Sequence, residues 1–277
     1  MRQFVTTKLQ RYWDIRAAGN FSFGGTGSGL IVASALALAV DAASVFAVIA
    51  GLGLIALGLF CVWLELGRPW RAFNVFFHAR TSWMTREALL VPPLFVAGSA
   101  TALDIRFAAL AAVLAAGFLY CQARMLHASR GIPAWCQNEV VPLIVTTGLA
   151  EGTGAFLVIA HPSVAMIAVA LIAGLAREVA REAYRRGVIR AKAPAGTLAW
   201  FSLREEKMLT AGRLVSIGLL ALALGGLHTA AVGGLLAVLT GWGLKAMLIT
   251  RVAFTRGHSI QHTPTRGRGA SYTVVQS

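Results

Sequence analysis

The 277-residue sequence is short of charge: 13% of its residues are Asp, Glu, Lys or Arg, where a soluble domain carries about a quarter. With 57% hydrophobic residues and a mean hydropathy of +0.69, that shortage excludes a single soluble core of this size. Cysteine is scarce too. Cys61, Cys121 and Cys136 form no CxxC pair, which excludes a disulfide framework and an iron–sulfur cluster carried by the chain itself. Histidine is missing where haem would need it. A bis-histidine site requires two imidazoles facing each other from different helices. Here His161 and His228 fall in short connections, His78 in a long loop, His127 at a helix end, and His258 and His262 in the tail. No haem and no metal are therefore expected in this chain. Acids are the rarer charge, 11 against 25 Lys and Arg, a formal +14. In a soluble protein that excess would point to nucleic acid. Here the basic residues sit between long apolar runs, so the excess is a topology signal and no nucleic-acid partner is expected.

What is present is length of apolar sequence. About 20 mostly apolar residues cross a bilayer as a helix. Eight stretches qualify: Phe21–Val40, Ser44–Leu64, Ala88–Leu103, Phe107–Leu126, Val140–Ala160, Ser163–Tyr184, Met208–Leu227 and Thr229–Thr250. The third is short, begins near Pro92-Pro93, and is expected to start within the preceding loop. The sixth is free of charge only as far as Ala176. Beyond it Arg177, Glu178, Arg181, Glu182, Arg185 and Arg186 recur at three- and four-residue spacing. That pattern reads as a helix leaving the membrane with paired charges. A secretory signal is disfavoured for the first span, because the preceding polar arm is long and holds Asp14. Gly24, Gly25, Gly27 and Gly29 also suit helix packing better than a cleavable segment. Eight spans put both termini on one side, together with every Lys and Arg except Arg106. By the positive-inside rule that side is cytoplasmic.

An internal repeat is also legible. Gly25-Thr26-Gly27 in the first span matches Gly152-Thr153-Gly154 in the fifth, and Trp83-Met84-Thr85-Arg86-Glu87 rhymes with Trp200-Phe201-Ser202-Leu203-Arg204-Glu205. The expected fold is an all-α integral membrane protein of eight transmembrane helices, in two four-helix units from an internal duplication. The units cover 21–127 and 139–250, joined by a loop at 128–138. A cytoplasmic arm (1–20) and a basic tail (251–277) flank them.

The loop after the second span is the most specific stretch. Leu64-Glu65-Leu66-Gly67-Arg68-Pro69-Trp70-Arg71-Ala72-Phe73 is followed by Arg80-Thr81-Ser82-Trp83-Met84-Thr85-Arg86-Glu87. It resembles the His-Leu-Gly-x-Pro-x-Arg-Ala and Thr-Ser-Trp-x-x-Arg-Glu elements of the membrane anchors of dimethyl sulfoxide reductase-type molybdoenzymes, the polysulfide reductase-like superfamily. Ile132-Pro133-Ala134-Trp135 with Val141-Pro142 is similar to a second element of those anchors. The resemblance implies a subunit of a quinone-dependent oxidoreductase in a bacterial or archaeal cytoplasmic membrane. Such an anchor docks a four-cluster iron–sulfur subunit and a molybdenum or tungsten bis-pterin catalytic subunit. It exchanges electrons with menaquinone or ubiquinone and holds no prosthetic group. It further implies quinone contacts at Glu65, Gly67, Arg68, Trp83, Arg86, Glu87 and Asn20, and partner docking at Arg71, Arg80, Trp135 and Arg204. One departure stands out: Glu65 replaces the family's histidine.

The residues carry a physical reading of their own. Quinone reduction consumes two electrons and two protons, so a site needs hydrogen-bond donors and a proton supply. Glu65, Arg68, Arg86 and Glu87 are ionisable groups at helix ends, and Trp70, Trp83 and Phe73 offer apolar walls. Interfacial anchoring explains Trp70 and Arg71 equally well. Asn20 reads as a donor to a quinone carbonyl or, more simply, as the cap of the first span. Glu151 lies about 18 Å into the fifth span at 1.5 Å per residue. An acid at that depth is a proton relay or half of an ion pair with Lys245. Glu139 and Lys245 are the groups that could extend such a relay.

Three other functions remain in view: an anchor of the reductase type that oxidises quinol, a passive anchor, and a secondary transporter. Transporters concentrate polar groups at the midplane, where Glu151 is the one acid expected here. An inward-facing docking side fits a substrate confined to the cytoplasm, and is similar to anchors that serve oxidation of an acyl-coenzyme A such as phenylacetyl-CoA.

Overall fold

A computed structural model describes residues 5–66, 69–160, 163–226 and 228–260. Helices dominate them: α1 (Ile15–Leu36), α2 (Val45–Trp63), α3 (Trp83–Ala100), α4 (Phe107–His127), α5 (Val140–Ile159), α6 (Val164–Arg190), the short α7 (Ala195–Ala199), α8 (Arg204–Leu224) and α9 (Ala230–Thr250). A 3-10 segment, Pro69–Phe77, links α2 to α3.

Side-chain caps set several starts. Asp14 accepts from the Arg16 amide at 2.8 Å, so α1 begins at Ile15, before the expected Phe21. Asn20 is therefore inside the helix and is not its cap. Ser82 accepts from the Thr85 amide at 3.3 Å and starts α3 within the loop, well before Pro92-Pro93. Ser44 and Ser163 do the same for α2 and α6.

Six of these helices, among the described residues, are long and apolar enough to cross a membrane: Ile15–Val40 (α1 with its 3-10 extension), α2, α4, α5, α8 and α9. The chain is a helical, multi-pass membrane protein. The other two expected spans are helical but fall short by this measure. Arg86, Glu87 and the prolines dilute α3, and only the first half of α6 is uncharged. Large side chains such as Val96, Val113, Ile172 and Leu239 stay exposed on the outer faces, as contact with lipid requires.

The two Gly-Thr-Gly helices meet at the centre. A Cβ on Gly152 would land on Gly29, and one on Gly29 would land on the Gly148 carbonyl. Only glycine permits that approach. Around this crossing the pairings repeat. In the first half α1 packs on α2 and α4, α3 on α4, and α2 on α3; in the second α5 packs on α6 and α9, α8 on α9, and α6 on α8. Each central helix also touches the last helix of the other half, α1 on α9 and α5 on α4.

At one end of the bundle Trp135, Tyr184, Trp200 and Leu248 form an apolar cap with Ala134 and Val252. A two-stranded ribbon lies outside the all-helical expectation: β1 (Val5–Leu9) pairs antiparallel with β2 (Phe254–Ile260). Gln10 locks it down by donating to the Ile249 and Trp13 carbonyls. The arm and the start of the tail thus lie together on one face of the bundle. Toward the other face Leu30, Ala33, Phe156, Leu157, Ile167 and Leu220 form a separate apolar cluster.

Candidate functional site

The termini-bearing ends of α1 to α4 and the 3-10 segment enclose a cavity of about 510 Å³, a size typical of small-molecule sites. Leu59, Val62, Trp63, Leu66, Val75, Met84 and Met125 make its walls apolar, and Asn20, Asn74, His78, Ser82, Thr85 and Glu87 supply polar groups.

Two of these are buried and incompletely used. Asn20 is 3% exposed and its Oδ1 accepts no hydrogen bond; Glu87 is 4% exposed and its Oε1 accepts none. Leaving such groups buried and unpaired costs about 1–3 kcal/mol each. Gln122 of α4, fully buried, ties the two sides together. Its amide donates to the Asn20 carbonyl at 3.2 Å and lies beside Glu87. Close packing fixes the geometry, because a Cβ at Gly58 of α2 would press on the Asn20 carbonyl and Oδ1.

The structure brings Asn20 and Glu87 together and leaves most of the other expected quinone contacts elsewhere. Glu65 does not line the cavity. The turn after α2 carries it toward Asp14 and Arg16, where Arg16 donates to the Leu64 carbonyl at 2.7 Å. Burial and the neighbouring Asp14 carboxylate push the Glu65 carboxyl up from its ordinary value. Arg86 does not pair with Glu87. Its guanidinium donates to the Ala79 and Arg80 carbonyls at 2.8 and 2.9 Å, holding the loop before α3. Trp83 stacks under Arg86 and Arg124, with guanidinium carbons 4.1 and 4.7 Å from the ring centroid, so it anchors a helix end. Gly67 and Arg68 lie outside the described residues, as does the side chain of Arg71.

The docking residues divide. Arg80 and Arg204 are exposed on the termini-bearing face. Trp135 is corrected: it is 2% exposed and donates to the Leu248 carbonyl at 3.0 Å. Its indole belongs to the cap and offers no docking surface.

A second polar region occupies the other half. Lys245 and Glu151 form an ion pair at 2.7 Å, both fully buried. The pair forms despite the height difference of about 9 Å that helix rise alone implies. Thr26 donates to Glu151 at 2.8 Å, Lys245 also donates to the Phe21 carbonyl at 2.9 Å, and Trp242 donates to Thr26. Glu139, at the start of α5, is not part of this group and stands 3.8 Å from Arg190. The charges after Ala176 only partly behave as a helix leaving the membrane. Glu182 pairs with Arg185 and Arg186 at the surface. Arg177, by contrast, is fully buried, and Glu178 and Arg181 turn inward to meet Arg213 and Glu206 of α8. The interior therefore holds far more charge than the single acid expected of it.

Sequence reasoning missed His78, Asn74, Gln122 and Arg213. Arg213 carried a signal, the one charged residue inside the Met208–Leu227 run. No family model matches the chain, and no curated protein matches it either.

Proposed function

We propose that the chain is the quinone-reactive membrane anchor of a multi-subunit oxidoreductase. In this reading all eight long helices cross the membrane, α3 and α6 included, as two units related by duplication. Both termini are cytoplasmic in a bacterial or archaeal inner membrane. The basic face docks a four-cluster iron–sulfur subunit and a molybdenum or tungsten bis-pterin subunit. Oxidation of an acyl-coenzyme A such as phenylacetyl-CoA supplies the electrons in the direction favoured by an inward docking face.

The observation that carries the reading is the cavity itself: apolar walls around two buried, incompletely partnered polar side chains. A quinone head is a flat apolar ring with a carbonyl at each end, and its reduction consumes two protons. The Asn20 Nδ2 group suits one carbonyl as a donor, and its unpaired Oδ1 suits the hydroxyl that reduction creates. Glu87 holds a proton at the inner end, released where charge develops on oxygen. Gln122 positions both groups, and His78 at the rim connects the cavity to water. The unit pairings repeated around α1 and α5 support the duplication.

Trp63 in the cavity wall provides the test. Titrating the full chain in lipid nanodiscs with a short-chain quinone should quench tryptophan emission saturably, and Trp63→Phe should remove most of the quenched fraction. Saturable quenching that survives Trp63→Phe undiminished would place the quinone elsewhere. The buried charges of α5, α6, α8 and α9 favour the secondary-transporter reading. Substrate-driven uptake into vesicles by this chain alone would support it instead.

A further inference from the structure

The second polar region divides by charge. Its outer part is balanced. Glu206 Oε1 receives Arg181 at 2.9 Å and Thr210 at 3.1 Å, with Arg213 at 3.4 Å, and Glu178 faces Arg213 as an ion pair at 2.8 Å. Two guanidinium groups thus meet two carboxylates. The inner part is not balanced. Arg177 has no carboxylate closer than Glu178 at 3.9 Å and uses one nitrogen on the Ala237 carbonyl at 2.9 Å, while Lys245 and Glu151 form their pair alongside. Two cations share one acid in a fully buried place.

We propose that Lys245 is a proton-exchanging site inside the membrane, reached from the termini-bearing face through Glu206 and Glu178, and closed toward the opposite face. Loss of one proton neutralises the inner group, because Arg177 then balances Glu151 and Lys245 is left as an amine. Burial favours that outcome, since an uncompensated charge in low dielectric is costly, and lysine, unlike arginine, gives up its proton readily when buried.

The groups facing the ammonium are few. α1 presents the Phe21 carbonyl with the Thr26 hydroxyl nearby, α5 presents Glu151, and Arg177 of α6 stands within electrostatic reach. The proton passes from Lys245 Nζ to Glu151 Oε2, 2.7 Å away. Rotation of the protonated carboxyl about Cγ–Cδ then carries the O–H to the position of Oε1, which has no hydrogen-bond partner among the described residues, and the proton leaves from there toward Arg177, whose Nη2 also has none. Gly241 packs on Glu151 Oε1 and Ala237 receives Arg177, one turn apart on α9. Water bridging two such polar atoms is the ordinary way to satisfy them. Glu178 and Glu206 then hand the proton to a surface cavity of about 440 Å³ lined by Glu206, Arg185 and Lys207. The products are a neutral Lys245 and one proton in water on that face; no electron moves. Past Glu151 toward the other face stands the apolar cluster of Phe156, Leu157 and Leu220, so the path ends at the pair. None of this depends on the quinone reading.

The sequence has only four lysines, Lys8, Lys192, Lys207 and Lys245, so nitrogen-15 NMR of side-chain-labelled lysine in the full chain resolves them. In lipid nanodiscs one signal, identified by its loss in Lys245→Arg, should titrate apart from the other three. Arg177→Gln should move that titration toward theirs. On transfer to deuterated water, Glu206→Gln or the near-isosteric Thr210→Val should slow isotope exchange at Lys245 by roughly tenfold or more. The other three lysine signals report whether each variant is folded. A Lys245 that titrates with the other lysines would overturn the proposal, and so would an exchange rate unmoved by both path variants. If neither Arg177→Gln nor Glu206→Gln folds, the wild-type titration and Thr210→Val decide alone.

Discussion

Glu87 and Glu206 occupy comparable places, within the first two turns of the third long helix of each half, and their surroundings are opposite. Glu206 is enclosed by Arg181, Arg213 and Thr210. Among the described residues Glu87 has an amide beside it, an apolar cavity in front of it and no cation paired with it. Burying a carboxyl without a counter-charge is costly, so a chain that keeps one on a cavity wall gains something other than stability. The lesson is local: Glu206 is spent on neighbouring guanidinium groups, whereas Glu87 faces a cavity.

The sharpest way to break that contrast is to unbalance the filled half. Removing one partner of a buried pair costs about 3–5 kcal/mol, while replacing both with neutral groups of similar size costs much less. Glu151→Gln, which leaves Arg177 without its acid, should therefore lower stability by that amount in a detergent-denaturation series, and Glu151→Gln with Arg177→Met should recover much of it. Simple addition of the two single effects would show that the pair is not coupled.

Next come the two acids themselves. Glu87→Gln should leave complex assembly and artificial-dye activity intact while quinone-coupled turnover falls by roughly 10²-fold. Glu206→Gln should do the reverse, destabilising by about 1–3 kcal/mol with quinone turnover little changed. Equal effects of the two variants on both readouts would erase the distinction between the halves.

Asn20→Ala should weaken quinone binding by the loss of one neutral hydrogen bond, about 0.5–1.5 kcal/mol, a rise in Kd of roughly 2- to 13-fold, read from the Trp63 titration. The smallest effect concerns Glu65. Its folded-state value is raised, so the stability it contributes is fully present below its ordinary value and is lost as pH rises through the folded one. Asp14, held low by its hydrogen bonds with Arg16, acts oppositely: its contribution is present above its ordinary value and is lost only as the pH falls through the lowered one. Thermal unfolding of Glu65→Gln should decline less with rising pH than that of the wild type, and an unchanged slope would remove Glu65 from the balance.

The long helices and the match of Gly25-Thr26-Gly27 to Gly152-Thr153-Gly154 were within reach of the sequence, because each rests on local composition; that the two motifs meet, and that Lys245 reaches Glu151, follows only from packing. Asn20 and Glu87 were recognisable one at a time, but their convergence was not. It depends on the packing of α1 and α3 against α4, which brings residues separated by 67 and 102 positions to one cavity. Adjacency in sequence made Glu65 look nearest to the quinone, yet a single turn after Trp63 directs it to Asp14. Arg177 misled for a related reason. Charges at helical spacing look alike whether they face water or α8, and only packing shows that Arg213 stands opposite.

The quinone assignment is tested most directly by photolabelling the full chain in lipid nanodiscs with an azido-quinone and locating the adduct by peptide mass spectrometry. Labels on Trp63, Met84 or neighbouring cavity residues, competed by excess unlabelled quinone and diminished in Glu87→Gln, are the expected result. Competable labels confined to α6, α8 or α9, with the cavity peptides unmarked, would contradict it.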